Sequence, residues 1–517
     1  MTPVAAANLA ALPPTRAPLV ARLRACSWTP PRAFPTVQLP RPPDADEVRV
    51  AGALGATVDE LLARGARVTL WERDPARLIA WLSERDRVEA LGSGRLDLAS
   101  DLDLLEPGRF GRDRGPLVAH PVLGPLYARE LAWLEGPPRA GRALLVDGGL
   151  LVEELGAALC AEGWGVWTWE TTRASREEIL ELARRFQPDR VFVVNLVPGL
   201  AEVCAALGAR LDVWEIDPSI EPPPPAPAVG RTTVWTWRRA QVEPLRALGW
   251  HAEWLPLGAD PERRRPIPMT EEEARSFAAP VSFVGRSMAL EAARYRRQVE
   301  AELRDALAAQ GGDASDAPRI VAAVLAEQHA LRASGDGTFI LAERLDAACP
   351  GLRRRGTRHD PALMLGESAA AEWRSAAVRR LAPVGVHVWG DEGWARVAGG
   401  GVVWRGPAGH RHAVPRIYSN GGIHLDIGRV YQSDIVTLRV FEALACGAFV
   451  LASDAEELRD LFQPGVELDV WSTLDELEAK VAYWHARPEE RARVAAEGRA
   501  RALRDHTIHR RVLRMLG

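Results

Sequence analysis

The chain has 517 residues, 47% of them hydrophobic and 26% charged, enough for several packed domains and incompatible with general disorder. Its 65 basic and 69 acidic residues give a net charge of -4. That balance offers no positive surplus for a phosphate backbone and argues against a nucleic-acid partner. Lys480 is the sole lysine, so any phosphate-binding role falls to arginine. The cysteines (Cys26, Cys160, Cys204, Cys349, Cys446) are scattered without a C-x-x-C pair, which points to a reducing, cytoplasmic setting without a zinc site. No 18-residue apolar run escapes a charge, and the N-terminus lacks the pattern of a secretory signal. No transmembrane segment is therefore expected, with peripheral membrane contact left open.

Residues 1–45 are rich in proline and alanine and read as an extension, mobile or draped on another part of the chain. A first α/β unit, 46–140, begins with a strand over 48–51 and a tight Gly52-Ala53-Leu54-Gly55 loop. A helix over 56–64 and a strand over 67–71 ending at Glu72 follow. In a second unit, 141–265, apolar strands over 143–146, 166–169, 190–195 and 211–215 alternate with helical stretches, which predicts a parallel sheet covered on both faces. Asp147-Gly148-Gly149 forms its first turn, and the proline run over 221–227 a stiff surface loop. The third unit, 266–517, opens with a strand over 281–285 and continues through a mostly helical segment over about 290–382. Strands resume at 386–390, 401–404, 422–425 and 449–452, and Gly447 closes a helix over 436–446. Asp454-Ala455-Glu456-Glu457 and Thr473-Leu474-Asp475-Glu476 both have the form of a capping box, and Pro488 opens a long terminal helix.

Two facing doubly wound domains leave a cleft at the carboxyl ends of their strands, where such folds bind ligands. The segment 431–451 is the most informative along that edge. Asp434 precedes its helix and Glu442 lies just over a turn inside it, eight residues on. The helix start, with Thr437 and Arg439, offers free N–H groups and positive potential to a diphosphate, and a carboxylate at Glu442 can accept from a ribose diol.

Arg439-Val440-Phe441-Glu442-Ala443-Leu444-Ala445-Cys446-Gly447 resembles the signature of group 1 glycosyltransferases of the GT-B fold, most closely their CgeB-like branch. Other segments are similar in the same order: Trp214-Glu215-Ile216-Asp217-Pro218, Leu255-Pro256-Leu257-Gly258-Ala259-Asp260-Pro261, Ser282-Phe283-Val284-Gly285-Arg286, Val388-Trp389-Gly390 with Trp394, and Pro415-Arg416-Ile417-Tyr418-Ser419. The likeness spans roughly residues 142–510, and its ordered motifs outweigh any single one.

The resemblance implies two facing Rossmann-like domains, with a nucleotide-sugar donor in the C-terminal one and an unknown glycan, protein or small-molecule acceptor on the other. No cofactor or metal is required, the donor being a substrate, and retention of configuration is the family's analogy. Glu442 would hold the ribose. Asp434, where relatives carry glutamate, would contact the transferred sugar, and Arg286 would pair with the diphosphate. Gly285, Trp389, Gly390, Tyr418, Thr437 and Arg439 would complete the donor side. Glu291 stands where relatives carry an assisting lysine, and either Arg439 or Arg294 would replace it. Asp217 is a candidate acceptor-side base or a turn former. Gly148 and Gly149 let backbone approach a ligand or merely permit the turn.

The first unit has the layout of a cofactor-binding βαβ, with Glu72 20 residues after Gly52, and also resembles the opening of Rossmann-like methyltransferases. Leu54 crowds its glycine loop, which favours a non-binding or interaction domain. Asp101-Leu102-Asp103 reads as a solvated loop rather than a metal motif. His410 and His412 read as structural or solvated. Two other readings stand beside the glycosyltransferase: a methyltransferase using the first unit, and a non-catalytic nucleotide- or carbohydrate-binding protein.

Overall fold

The computed structural model describes residues 1–25, 41–52, 55–105, 110–135, 138–148, 150–169, 176–217, 226, 228–353 and 359–517. Gly149, the Ala53-Leu54 pair and nearly all of the proline run lie outside the described residues. The chain forms two compact units, one made of Met1–Asp212 and Ala226–Thr232, the other of the remaining described residues.

Three sheets organise the chain. The first contains β1 (Glu47–Ala51), β2 (Arg67–Trp71), β3 (Leu96–Ala99) and β4 (Leu117–Ala119), in the order β3-β2-β1-β4 with parallel pairings. The second is built from β5 (Gly141–Val146), β6 (Trp164–Trp169), β7 (Arg190–Val194), β8 (Arg210–Glu215), β9 (Thr232–Thr236) and β10 (Ala252–Trp254), in the order β10-β9-β8-β7-β5-β6. The third comprises β11 (Val281–Val284), β12 (Val386–Trp389), β13 (Val402–Trp404), β14 (Ile423–Asp426), β15 (Phe449–Ser453) and β16 (Asp469–Trp471). Its order is β13-β12-β11-β14-β15-β16, with every neighbouring pair parallel. The fold class is thus α/β with parallel, Rossmann-like sheets, as expected. The expected strands form because their short apolar runs are buried along most of their length, as a parallel sheet covered on both faces requires.

The N-terminal extension is not mobile over its described residues. Helices Pro3–Ala10 and Ala17–Ala25 place Ala5, Leu9, Leu19 and Leu23 in the core of the first sheet. Asn8 ties this layer down by donating to the carbonyls of Leu82 (2.7 Å) and Arg85 (2.8 Å) and accepting from the Arg87 N–H (2.7 Å). Helix Ala128–Glu135 falls before the expected boundary at 140, yet it sets Trp133 against Phe186 of the second sheet's covering helix, with ring centroids 5.1 Å apart. Asp101 and Asp103 are not in a solvated loop. They begin helix Asp101–Leu104, where Asp103 takes up the Ser100 N–H and hydroxyl (2.6 Å each) and Arg16 (2.7 Å). Asp101 accepts from the Trp71 indole (2.8 Å).

The third sheet buries Val281, Phe283, Val388, Ile423, Leu425, Phe449 and Leu451 in one core with Trp373 and Trp471. Most of the segment between β11 and β12 is helical, and helices Ala289–Ala309, Ala317–Ala333, Leu341–Ala348 and Pro361–Arg380 share a second core there. The chain's last helix, Ile508–Leu516, returns to the stretch before the third sheet. Ala259 bridges Thr507, and the buried Arg511 donates to the carbonyls of Pro256 (2.8 Å) and Leu257 (2.9 Å). No helix among the described residues is long and apolar enough to cross a membrane.

Candidate active site

Counted from its own first strand, the third sheet has the order 3-2-1-4-5-6, which reverses between β11 and β14 and opens a crevice beyond their carboxyl ends. Gly285 leaves β11 there. A Cβ on it would stand 2.8 Å from the Phe283 ring, and a Cβ on Gly390 would stand 2.1 Å from the Gly285 carbonyl, so both positions need glycine for close approach. Trp389 ends β12 and accepts the Gly285 N–H (2.9 Å). It is buried and supports the loop from below.

Asp426 ends β14 almost fully buried and collects the Thr437 hydroxyl (2.9 Å) and the Arg439 Nε (2.8 Å). Thr437 occupies the N-cap position of helix Leu438–Ala445 but spends its hydroxyl on Asp426 instead of on the helix. Behind them lies Arg374, buried on helix Pro361–Arg380. It donates to the carbonyls of Arg286 (2.8 Å) and Ile427 (3.1 Å), tying together the loops on both sides of the crevice. Its hydrogen-bond partners are carbonyls and the Met288 sulfur. Burial, then Arg439 and Arg429, lower its pKa to about 9. Met288, at φ 63°, begins the next helix from a strained left-handed conformation within reach of that guanidinium (3.1 Å). Three guanidinium groups (Arg374, Arg429, Arg439) thus gather around Asp426 and Glu367, with Asp217 acting on Arg429.

Glu442 is not an exposed helix glutamate. It is 7% exposed, and its Oε1 accepts from the Nε of buried Arg264 at 2.8 Å. Arg264 also contacts His410 Nε2 at 2.7 Å, so His410 belongs to this cluster, and burial followed by Arg264 lowers its pKa. Tyr418 is buried against the His424 ring (centroids 4.4 Å apart), and burial and the Glu442 charge raise its pKa well above the usual phenol. It is a core residue. His424, held near pKa 3 by burial, is a neutral partner of the Ser282 hydroxyl (3.1 Å).

Asp434 is not a helix cap either. Arg238, two residues past β9, grips both its oxygens at 2.8 and 3.2 Å. Asp217, two residues past β8, is exposed, and its charge acts on Arg429. Arg286, the expected diphosphate partner, has an exposed side chain paired with Glu291 and 3.9 Å from Asp391. Gly148, two residues past β5 in the other unit, has φ 106° and open space around it, so the turn itself requires glycine. The structure therefore brings Asp434 together with Arg238, and Arg439 and Thr437 with Asp426.

Sequence reasoning missed Arg264, Arg374, Asp426 and Arg238. The expected strand stopped one residue short of Asp426, and Arg264 lies in the Arg263-Arg264-Arg265 run after the Leu-Pro-Leu-Gly linker. Both were visible signals. The capping box expected at 454–457 does not form, because Ala455 is the N-cap and Glu457 is buried.

Glu72 of the first sheet, a possible ribose acid by spacing, is buried and accepts from the Tyr127 hydroxyl and the Asp74 N–H (2.9 Å). His120 stands at that sheet's own switch point, where a Cβ on Gly52 would lie 2.8 Å from its Cβ.

Residues 369–517 match the family model described as glycosyl transferase-like. No curated protein matches the chain. Among solved structures it is similar to a glycosyltransferase from Rickettsia africae ESF-5, with 9% identity over 73% of this chain and 97% of that one and a TM-score of 0.43. It is also similar to a sucrose-phosphate synthase from Thermosynechococcus elongatus (13% identity, 72% and 97% covered, TM-score 0.42). A third is Anabaena Alr3699/HepE in complex with UDP and glucose (12% identity, 73% and 98% covered, TM-score 0.40). The family match covers Arg374, Asp426, Asp434, Arg439 and Glu442 and supports a glycosyltransferase assignment.

Proposed function

We propose that the protein is a glycosyltransferase, of the group 1, CgeB-like kind, that moves a sugar from a nucleotide-sugar donor to an acceptor still to be identified. The observation that carries this reading is the buried Glu442 carboxylate, on the helix that starts beside Arg439 and Asp426 at the third sheet's switch point, within the segment that matches the family. Glu442, oriented by Arg264, receives the ribose hydroxyls. The diphosphate faces Arg439 with Arg374 behind it. As the bond from the sugar's anomeric carbon to the diphosphate breaks, negative charge grows on the leaving oxygen, where these guanidinium groups stabilise it. The acceptor oxygen forms the new bond and its proton passes to the departing diphosphate, a retaining course that asks for no metal or cofactor. Asp434, pinned by Arg238, contacts the transferred sugar, and Asp217 lies on the acceptor side.

The test is binding of UDP, GDP and TDP and their sugar conjugates by calorimetry, with Glu442→Gln alongside. At least one nucleotide should bind the wild type and lose affinity in the variant. Absence of binding by all of them would overturn the reading. A non-catalytic binding protein on the same fold is favoured by one feature, that Glu442 and Asp434 are each already paired with an arginine. Donor turnover in the presence of acceptor extracts separates the two. The methyltransferase reading loses support from the commitment of Glu72 to Tyr127 and Asp74.

A further inference from the structure

One buried acid near the site is left without a role. Glu457, on the short helix Glu456–Leu461, is 5% exposed, and its Oε2 is shielded from water without a hydrogen-bond partner. The charged groups that face it are Asp434 from the segment before helix Leu438–Ala445, Arg239 from the end of β9, and Glu456 beside it. Arg238 is taken up by Asp434. Arg239 is paired with Asp460 at 2.6 Å and lies over the Trp254 ring at 4.2 Å. The two arginines after β9 thus pair with Asp434 and Asp460 rather than with Glu457. Burial, with the charge of Asp434 adding to it, pushes the Glu457 carboxyl up to about 7.

Resting on the donor assignment above, we propose that Glu457 is a specificity-determining residue whose buried, unpartnered Oε2 hydrogen-bonds a hydroxyl of the transferred sugar beside Asp434 and restricts the donor to uncharged sugars. A buried polar oxygen with no protein partner is one that a ligand atom would satisfy. A sugar hydroxyl can accept from the protonated acid while donating to Asp434. A uronic acid would instead bring its carboxylate up to Asp434, whose guanidinium partner Arg238 is already taken, and like-charge repulsion there would disfavour it.

Two measurements test this. The first is an infrared pH titration of the protein without ligand, comparing wild type, Glu457→Gln and Asp434→Asn. A protonated-carboxyl band should fade through about pH 7 in the wild type, be missing in Glu457→Gln, and fade at lower pH in Asp434→Asn. A titration unchanged by Glu457→Gln would overturn the proposal whether or not any nucleotide binds. The second is binding of UDP, UDP-glucose and UDP-glucuronate, with GDP, GDP-mannose and GDP-mannuronate in parallel. Glu457→Ala should weaken the neutral sugar nucleotide about five- to tenfold while leaving the bare diphosphate unchanged, and Glu457→Gln, still a donor, should restore it. Equal affinity for the neutral and acidic sugars in the wild type, or an unchanged sugar-to-diphosphate ratio in Glu457→Ala, would refute it. If no nucleotide bound while the band titrated as expected, the donor assignment would fail, and the sugar contact with it, leaving the neutral Glu457 standing.

Discussion

The first and third sheets set their first four strands in the same order, and the contents of their switch points differ. At the first, the chain fills the space itself: His120 stands against Gly52, and Tyr127 and the Asp74 N–H occupy Glu72. At the third, Gly285 and Gly390 allow the loops to approach closely, and Arg374, Arg429 and Arg439 gather around Asp426 and Glu367. A shared topology provides the crevice, but side chains decide whether anything can enter it.

The sharpest way to break this contrast is to remove the acid from each sheet. Glu442→Gln should lower nucleotide affinity on the order of a hundredfold through the loss of charged hydrogen bonds, whereas Glu72→Gln should leave it unchanged. Calorimetric titration of both variants checks this. Glu442→Ala should in addition cost about 3–5 kcal/mol of stability in denaturant unfolding, because buried Arg264 loses its counter-charge. Arg374→Met should weaken a nucleoside diphosphate about tenfold and the bare nucleoside little, since its charge acts on the phosphates. Equal weakening of both ligands would mean that Arg374 only braces the loops. In the first sheet, Tyr127→Phe should cost about 1–3 kcal/mol in stability by taking one of the donors from the buried Glu72 carboxyl, with no change in nucleotide binding.

A further effect is one of pH. Glu457 is held above its ordinary 4.5, so the folded chain keeps a proton that the unfolded chain releases as pH rises. It therefore costs stability progressively between pH 4.5 and about 7, and the full cost is present above that window. Glu457→Gln should match the wild-type Tm at acid pH and exceed it at about pH 8.

The strands were legible because runs such as Val281 to Val284 and Phe449 to Ala452 are apolar almost throughout, a pattern that only a doubly covered sheet explains well. Glu442 was legible through its sequence neighbourhood. Its partner was not, because Arg264 lies 178 residues away and an arginine-rich chain gives no hint which guanidinium meets which acid. Glu457 failed for the opposite reason. Its local pattern looked like a cap, and tertiary burial overrode it. Asp103 kept its local role with Ser100, yet its burial under Arg16 came from an N-terminal segment whose proline content suggested no packing.

Arg511 reaches carbonyls 255 residues earlier in the chain. During synthesis the Pro256 and Leu257 carbonyls must therefore wait for Arg511 to leave the ribosome before its guanidinium fastens them. A polypeptide released just short of Arg511 would carry every strand of the third sheet and the Thr507 bridge to Ala259, yet leave those two carbonyls without their guanidinium.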